Sequence, residues 1–460
     1  MSDNLKIFHT NDLHSHLENW PKIRRYINAQ RAQFRAAGDS VFTFDIGDAM
    51  DRVHPLTEAT DGKDNIKIMN EMAYDAVTIG NNEGIGNTFD QLNHLYDEAN
   101  FDVVLGNLLV AESSTQPEWA KNGKILTTNG GTKVLVLGLT APYADTYQRI
   151  GWQSIAVQTM LPKLLKRFEG QADFIVLLSH LGLNVDQMIA KQFPQVGLII
   201  GAHTHHLLLD GQRIGQSLIA AAGKYGQYVG QISLSFNDEH QLIKDEATVV
   251  SVAGLVTKAE DKIESDHYKE LGEQMLTAQP VARLAAPMEM NWTGYSRVAS
   301  EGLAALEEAM GTNAAILNGG LFMINLNAGI VTRNDIHKLL PHSMHPMKVS
   351  LSGYDLWRLI QEMEKNRAFL LHYPVKGMGF RGKIFGTIDY SGISYDRESG
   401  RVQFRNLDLS PLQTYQIGML DHYEYVPYFP TIEIMGQNEI DVNTVIRDVF
   451  ATYLAKHYPL

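Results

Sequence analysis

Five apolar, strand-like runs in the first half of this chain each end on side chains that bind metal ions. The endings read Asp12-Leu13-His14-Ser15-His16, Gly47-Asp48, Gly80-Asn81-Asn82-Glu83, Ser179-His180 and Gly201-Ala202-His203-Thr204-His205. Strand-like runs fall at residues 41–44, 75–79, 103–105, 134–137, 174–178 and 197–200. They are apolar throughout rather than alternating, the pattern of strands buried on both faces. Helix-like stretches at 21–37 and 161–170 lie between them. Alternating strand and helix predict an α/β domain. In an open α/β sheet, ligands bind beyond the carboxyl ends of the strands, so side chains distant in sequence converge there.

At 460 residues the chain is too long for one ordinary core, and two domains are expected. The first is read as residues 1–255. A charged stretch at 257–277, with helical spacing, places a connecting helix within 256–290; the bland alternative is a surface helix of one larger domain. From about residue 291 to 460 a second mixed α/β pattern follows. It includes a glycine-rich stretch at 377–386 and an aromatic one at 415–429. A net charge of −13 argues against a nucleic-acid polymer as partner. It leaves room for a small phosphorylated substrate, because bound cations reverse the local field. The absence of cysteine removes thiolate metal sites, disulfides and cysteine nucleophiles. Neither a signal peptide nor a membrane-spanning run is visible, so a cytoplasmic location is expected. Oligomeric state is not legible.

The chemistry follows from the donor set. Asp12 and His14 are two apart, as are His203 and His205, and on an extended segment each pair would share a face. Asp48 follows Gly47, which permits a sharp turn toward a metal. Oxygen from Asp and Asn with nitrogen from His, and no sulfur, suits Mn, Zn, Fe, Co or Ni better than Ca or Mg. Asp48 is the expected bridge between two divalent ions about 3.5–4 Å apart, an arrangement suited to phosphate-ester hydrolysis. An isolated Asp-x-His, or a lone His180 after a strand, is more often a cap or a satisfied polar residue. The joint pattern carries the inference.

That order of motifs resembles the calcineurin-like metallophosphoesterases. The opening His9-Thr10-Asn11-Asp12-Leu13-His14-Ser15-His16 is similar to their 5′-nucleotidase branch. The resemblance covers residues 5–235 strongly and the remainder more weakly. It implies a four-layer α/β/β/α sandwich followed by a smaller α/β substrate-binding domain, with the active site in the cleft between them. It further implies that Asp12, His14 and His205 hold one metal and Asn81, His180 and His203 the other, with Asp48 shared.

The chain departs from that branch in places. The histidine expected after Gly-Asn is Asn82, and its partner position is Ile85. An amide donates a hydrogen bond but delivers no proton near neutral pH. Three outcomes are open: His16, His54 or His206 stands in; the leaving group needs no proton, as in a pyrophosphate bond; or catalysis is slow or absent. The branch's Gly-Gly-Gly-Ile-Arg motif corresponds to Gly319-Gly320-Leu321-Phe322-Met323, without the arginine, and its Phe-Gly-Asn to His342-Ser343-Met344. Arg381, beside Phe380, is the substitute phosphate contact, with a surface role as the alternative. Tyr423, Tyr425, Tyr428 and Phe429 are candidates to stack a nucleobase, as aromatics do in the second domain of that branch; the alternative is core packing. Gly377-x-Gly379-x-x-Gly382 has the spacing of a dinucleotide fingerprint but opens no evident helix and is discounted.

The expected function is metal-dependent hydrolysis of nucleoside 5′-monophosphates or related nucleotides by a metal-bound hydroxide, with Asn82 donating to a phosphoryl oxygen. Rival readings are a cyclic-nucleotide phosphodiesterase or nucleotide-sugar pyrophosphohydrolase, and a non-catalytic metal- or nucleotide-binding module. No P-loop and no Gly-x-Ser-x-Gly elbow is present.

Overall fold

The computed structural model describes residues 3–375, 377 and 379–460. The chain divides into two compact units, the first running to Gly272 and the second from Glu273 to Leu460.

The first unit is built on two sheets. One has seven strands in the order Leu242–Ser251, Tyr228–Phe236, Asp3–Thr10, Ser40–Asp45, Ala76–Val77, Val103–Val104, Ala120–Lys121. The other has six, in the order Gln212–Ile214, Ser217–Ala220, Leu198–Gly201, Phe174–His180, Lys133–Thr140, Lys124–Thr127. In the first sheet the strands from Asp3–Thr10 to Ala120–Lys121 pair in parallel and two antiparallel strands complete the other side; in the second, four parallel strands have an antiparallel strand at each edge.

Uniformly apolar strands bury both faces, and the odd–even split shows how. Val134 and Val136 join Leu5, Ile7, Phe42, Phe44, Val176 and Ile200 in a core between the sheets. Leu135, Leu137 and Leu139 point the other way, into a core with Val157, Leu161 and Leu164 of helix Val157–Arg167 and Ile189 of helix Leu183–Gln192. On the first sheet Phe8 faces outward, against Tyr26 and Phe34 of helix Trp20–Ala36. Helix, sheet, sheet, helix gives the four layers of an α/β/β/α sandwich. The sheets approach closely at Gly138, where a Cβ would lie 1.9 Å from the Val104 carbonyl oxygen. Thr10 pairs with Asp45 and Asp45 with Val77, so three strands end level with one another. Ser179 pairs with Gly201, setting the ends of two strands of the second sheet side by side.

The helix read at 257–277 forms as Ala259–Thr277, and the division between units falls inside it. Its first turns are tied to the first unit: Arg25 pairs with Asp261 at 2.5 Å and Arg24 with Glu264 at 2.8 Å. Gly272 crosses the start of helix Pro55–Thr60 so closely that a Cβ would lie 2.1 Å from Leu56 N. No helix among the described residues is long and apolar enough to cross a membrane.

The second unit carries a five-stranded sheet in the order Ile388–Ser391, Ala315–Asn318, Thr414–Leu420, Pro346–Ser352, Gln437–Ile440. Helices Arg297–Met310, Gly353–Leu370 and Ile446–His457 contribute Leu303, Leu359 and Phe450 to its core. His422 lies within that core, 2 % exposed, with neither ring nitrogen hydrogen-bonded among the described residues. Burial pushes its pKa down to about 3, helped by the nearby His342. An unfolded histidine titrates near 6.5. Below that pH the unfolded chain therefore gains a proton that the folded unit refuses, and stability falls as the pH drops. At pH 5 this one side chain accounts for about 2 kcal/mol. Thermal melts should show the second unit less stable at pH 5 than at pH 7, and His422→Phe should narrow that gap; an unchanged gap would contradict the assignment.

Candidate metal centre

The candidate ligands meet at the carboxyl ends of the parallel strands, but not by strand alternation. Strand Asp3–Thr10 has ended before Asp12, and strand Leu198–Gly201 before His203. Asp12, His14, Ser15, Asp48, His203 and His205 instead have positive φ, between 47° and 73°. Left-handed backbone at non-glycine residues costs free energy and persists only where its surroundings enforce it. Here two loops enforce it on each other. The amides of Asp12, His14 and Ser15 donate to the carbonyls of Gly47, Asp48 and Ala49 at 3.0, 2.8 and 3.0 Å. Glu83, buried at the start of a short helix, fixes a third loop. Its Oε2 accepts from the amides of Gly80 and Asp48 at 2.8 and 2.9 Å, and its Oε1 from Met50 at 3.2 Å. Glu83 is thus a backbone strut, a role that spacing alone does not disclose.

Two overlapping groups result. One ligand atom each from Asp12, His14 and His205 lie within 4.8 Å of one another, and so do atoms of Asp12, Asp48 and His180. In the first group His14 Nε2 is 3.2 Å from His205 Nε2, and Asp12 Oδ1 is 4.0 Å from the His14 nitrogen and 3.5 Å from the His205 nitrogen. Donors around one ion with bonds near 2.1 Å sit about 3–3.5 Å apart, so the first group already has nearly the spacing of a coordination shell. A single oxygen of Asp48, Oδ2, is 3.5 Å from His180 Nε2 and 3.7 Å from His14 Nε2, facing one histidine of each group. The His203 ring centre is 5.2 Å from that of His180, and the His203 amide donates to Asp12 at 3.1 Å.

Unsatisfied atoms show what these residues fit. His180 Nδ1 is bonded to the Ile46 carbonyl at 2.8 Å, which leaves Nε2 buried, facing Asp48 Oδ2 at 3.5 Å and without a hydrogen bond among the described residues. Asn81 Oδ1 is likewise buried and unpartnered. His203 Nε2 meets the Tyr143 hydroxyl at 3.0 Å, leaving Nδ1 as the available donor atom. A ring nitrogen anchored on one side, with its partner nitrogen free, is the usual arrangement of a metal-binding histidine. Orphaned buried nitrogen and amide oxygen beside two carboxylates fit divalent cations.

The electrostatics agree. Burial pushes Asp12 up to about 6, reinforced by Asp48 and opposed by His180 and His14. Burial also works against ionisation of Asp48, but the charges of His180 and His14 outweigh it and hold this carboxyl well below the usual range. His180 is the reciprocal case: despite burial, Asp48 and Asp12 push it up to about 10. Burial and neighbouring imidazoles push His203 and His205 down to about 4, which keeps both in the neutral form a metal requires. The proton on His180 takes the place of a cation, and a metal bound at Asp48 and His180 must displace it.

Asn82 is differently placed from the sequence expectation. Its Nδ2 donates to the Met50 carbonyl at 2.9 Å and sits 3.0 Å from His14 Nδ1, so the amide is occupied with a candidate ligand rather than free to reach a phosphoryl oxygen. Ile85 caps the short helix Asn81–Gly84 that contains Asn82. Of the possible stand-ins, His54 caps helix Pro55–Thr60 and His206 bonds Thr204 Oγ1 at 2.8 Å. His16 pairs with Glu18 at 2.7 Å and stacks on Tyr225, whose ring also touches His14 and His205.

The residues expected to contact substrate from the second unit fare less well. Tyr423 and Phe429 are fully buried, and the Tyr423 hydroxyl donates to Asn318 Oδ1 at 2.8 Å. Phe380 is buried in a parallel stack on His342 with ring centres 5.2 Å apart. These three are core side chains, with no free face for a nucleobase. Tyr425 is exposed, but it does not share a face with Tyr423 as an extended segment would require, because 421–425 is a 3₁₀ turn. Tyr428 joins Phe369 and Tyr373 in a partly exposed aromatic cluster. The Arg381 amide donates to His342 Nδ1 at 2.9 Å. The Gly377–Gly382 spacing leads into strand Ile388–Ser391 rather than a helix; Met378 within it lies outside the described residues.

A four-layer sandwich whose strand ends gather two overlapping sets of Asp, Asn and His donors defines a metallophosphoesterase. The chain belongs to that family: residues 5–207 match calcineurin-like phosphoesterases and residues 291–421 the C-terminal domain of 5′-nucleotidases. It is 34 % identical to an uncharacterized metallophosphoesterase, YunD, of Bacillus subtilis, over 99 % of this chain and all of that protein. It is 22 % identical to the 5′-nucleotidase of Bos taurus, over 76 % of this chain and 70 % of the relative. The NAD nucleotidase of Haemophilus influenzae shares the fold, with a TM-score of 0.65 at 16 % identity, covering 99 % of this chain and 97 % of that one. Members of this family are phosphoester hydrolases that use a dinuclear divalent metal site.

Gly80 gives a direct test of the geometry. A Cβ there would lie 2.0 Å from Asp48 Oδ1. Gly80→Ala should weaken metal binding about 10- to 100-fold in calorimetric titration, while the circular-dichroism spectrum stays native. Unchanged metal affinity would contradict the position given to Asp48.

Proposed function

We propose that this chain hydrolyses small phosphorylated substrates, with nucleoside 5′-monophosphates or related nucleotides as the leading class. The observation that carries the reading is the pair of donor sets meeting at Asp12 and Asp48, with His180 Nε2 and Asn81 Oδ1 buried and not hydrogen-bonded among the described residues. Asp12, His14 and His205 would hold one divalent ion and Asn81, His180 and His203 the other, with Asp48 shared. The sulfur-free donor set favours Mn, Zn, Fe, Co or Ni. Such ions supply Lewis-acid polarisation of a phosphoryl oxygen and acidify a water.

The chain's own residues set the rest. Glu83 and the paired loops hold the carboxylates in place before any substrate arrives, so no reorganisation is needed as charge builds on the phosphoryl group. Asn82 steadies His14. Among the histidines near the motifs, His16 is best placed to assist the leaving group: Glu18 binds its Nδ1, and Tyr225 carries it beside His14 and His205. Relatives named 5′-nucleotidase support nucleotides as the substrate class.

A second reading has its own observation. With Asn82 at the position of the missing acid, a leaving group that needs no proton, such as the phosphate of a pyrophosphate bond, suits this site. Phosphate release should be measured across nucleoside 5′-monophosphates, cyclic nucleotides and nucleotide sugars with added Mn or Co. The leading reading expects turnover of monophosphates that is lost on chelation and restored by metal. Turnover confined to diesters or pyrophosphates would overturn it, and metal binding without any turnover would favour a non-catalytic module. Asn82→His should raise monophosphate turnover if an acid is missing, by at most about 100-fold; no change beside robust wild-type activity would favour His16 as the substitute.

A further inference from the structure

The loop at 221–227 crosses the metal centre, and nothing in its sequence spacing marks it. Tyr225 has a φ of 59°, a conformation that bulky side chains rarely adopt. Three contacts hold it there. Its amide donates to the Asp12 carbonyl at 2.8 Å, and its carbonyl accepts from Asn19 Nδ2 at 3.1 Å. The next residue, Gly226, lies so close to helix Trp20–Ala36 that a Cβ would be 2.8 Å from Ile23 Cδ1. Strain enforced in this way beside a functional centre points to a purpose for the side chains it presents.

Those side chains form a layered group. The Tyr225 ring centre is 4.0 Å from that of His16, at 30°, and it meets the His14 ring edge-on at 5.7 Å. Lys224 Nζ lies 4.5 Å from the same ring centre. The phenol ring thus contacts both an imidazole and an ammonium. Lys224 is half-buried, and no carboxylate is paired with it among the described residues. In a chain with a net charge of −13, an unpaired cation beside an acid-rich centre is out of balance. The cation–π contact uses the ring face and leaves ammonium N–H donors unspent. The spacing is also informative. An ammonium placed among Asp12 and Asp48 would compete with metal ions for their oxygens; Lys224 Nζ lies instead against the Tyr225 ring, which also meets His14 and His205.

We propose that Lys224 is a specificity-determining anion contact of this site: its ammonium binds an anionic group of the substrate lying beyond the phosphoryl group under attack, a second phosphate being the best match. The proposal rests on the hydrolase reading above. It places the contact in the metal-binding unit itself, in a chain whose Met323 stands where the related motif carries arginine.

The test compares wild type, Lys224→Gln and Lys224→Arg, all full-length and manganese-loaded, with AMP and ADP. A lost charge-assisted contact of this kind changes affinity about 10- to 100-fold. Lys224→Gln should raise KM for ADP by that factor, with a smaller rise for AMP and a smaller change in kcat, while Lys224→Arg keeps most of the wild-type KM. Bound manganese should be equal in all three. Equal effects on the two nucleotides, no effect on either, or an Arg variant as impaired as Gln would overturn the proposal. If wild type turns over neither nucleotide, the hydrolase reading is what fails; calorimetric Kd values for the same proteins then decide Lys224, with the same ADP-selective weakening expected and its absence contradicting the role.

Discussion

Two buried carboxylates, Asp12 and Asp48, stand close enough to share His14 and His180 as neighbours, and the rest of the metal centre is arranged around that pair. Burying a charge without a partner costs several kcal/mol, and two like charges side by side cost more. The chain meets that cost with what lies near: the imidazoles of His14 and His180, and the backbone amides of Asn82 and His203 directed at the carboxylates. Divalent ions would do the same more completely. The charge deficit is thus the reason the site is built for metal.

That arrangement depends on the backbone. Loops that present Asp12, His14, Asp48, His203 and His205 in left-handed conformations are unfavourable singly. They persist because parallel strands end level and their loops hydrogen-bond to one another. Glycine makes the approach possible at two points: at Gly47 a Cβ would lie 2.2 Å from Gly80 N, and at Gly80 it would strike the Asp48 carboxylate. Core packing on both sheet faces supplies the stability that this strain consumes.

Much of this was legible in the sequence. Uniformly apolar runs at 134–137, 174–178 and 197–200 could only be strands buried on both faces, and their endings named the donors. The antiparallel strands escaped for different reasons: Tyr228–Phe236 alternates instead of running apolar throughout, and Leu242–Ser251 carries Lys244-Asp245-Glu246 and stays largely exposed or half-buried. Alternation along an extended segment paired Asp12 with His14 for the wrong reason, since a turn rather than a strand brings them together; His203 and His205 also sit on a turn, His205 beside Asp12 and His14, His203 beside His180. Glu83 stood in one of the donor-bearing endings but serves as a backbone strut, and Tyr143 and Tyr225 carried no readable signal, because a strut and a hydroxyl or ring against a histidine follow no spacing rule. The aromatic segment at 415–429 misled for a simpler reason: composition does not say which face a ring presents, and in Tyr423 and Phe429 burial prevailed.

The central claim is that Asp48 serves both halves of a two-ion centre. Metal analysis of the purified chain, after loading and removal of excess ion, tests it most directly when wild type is compared with Asp48→Ala. Two ions per chain are expected in the wild type, and loss of both, or retention of at most one weakly held ion, in the variant. Fewer than two ions in the wild type, or two firmly bound ions without the Asp48 carboxylate, would contradict it.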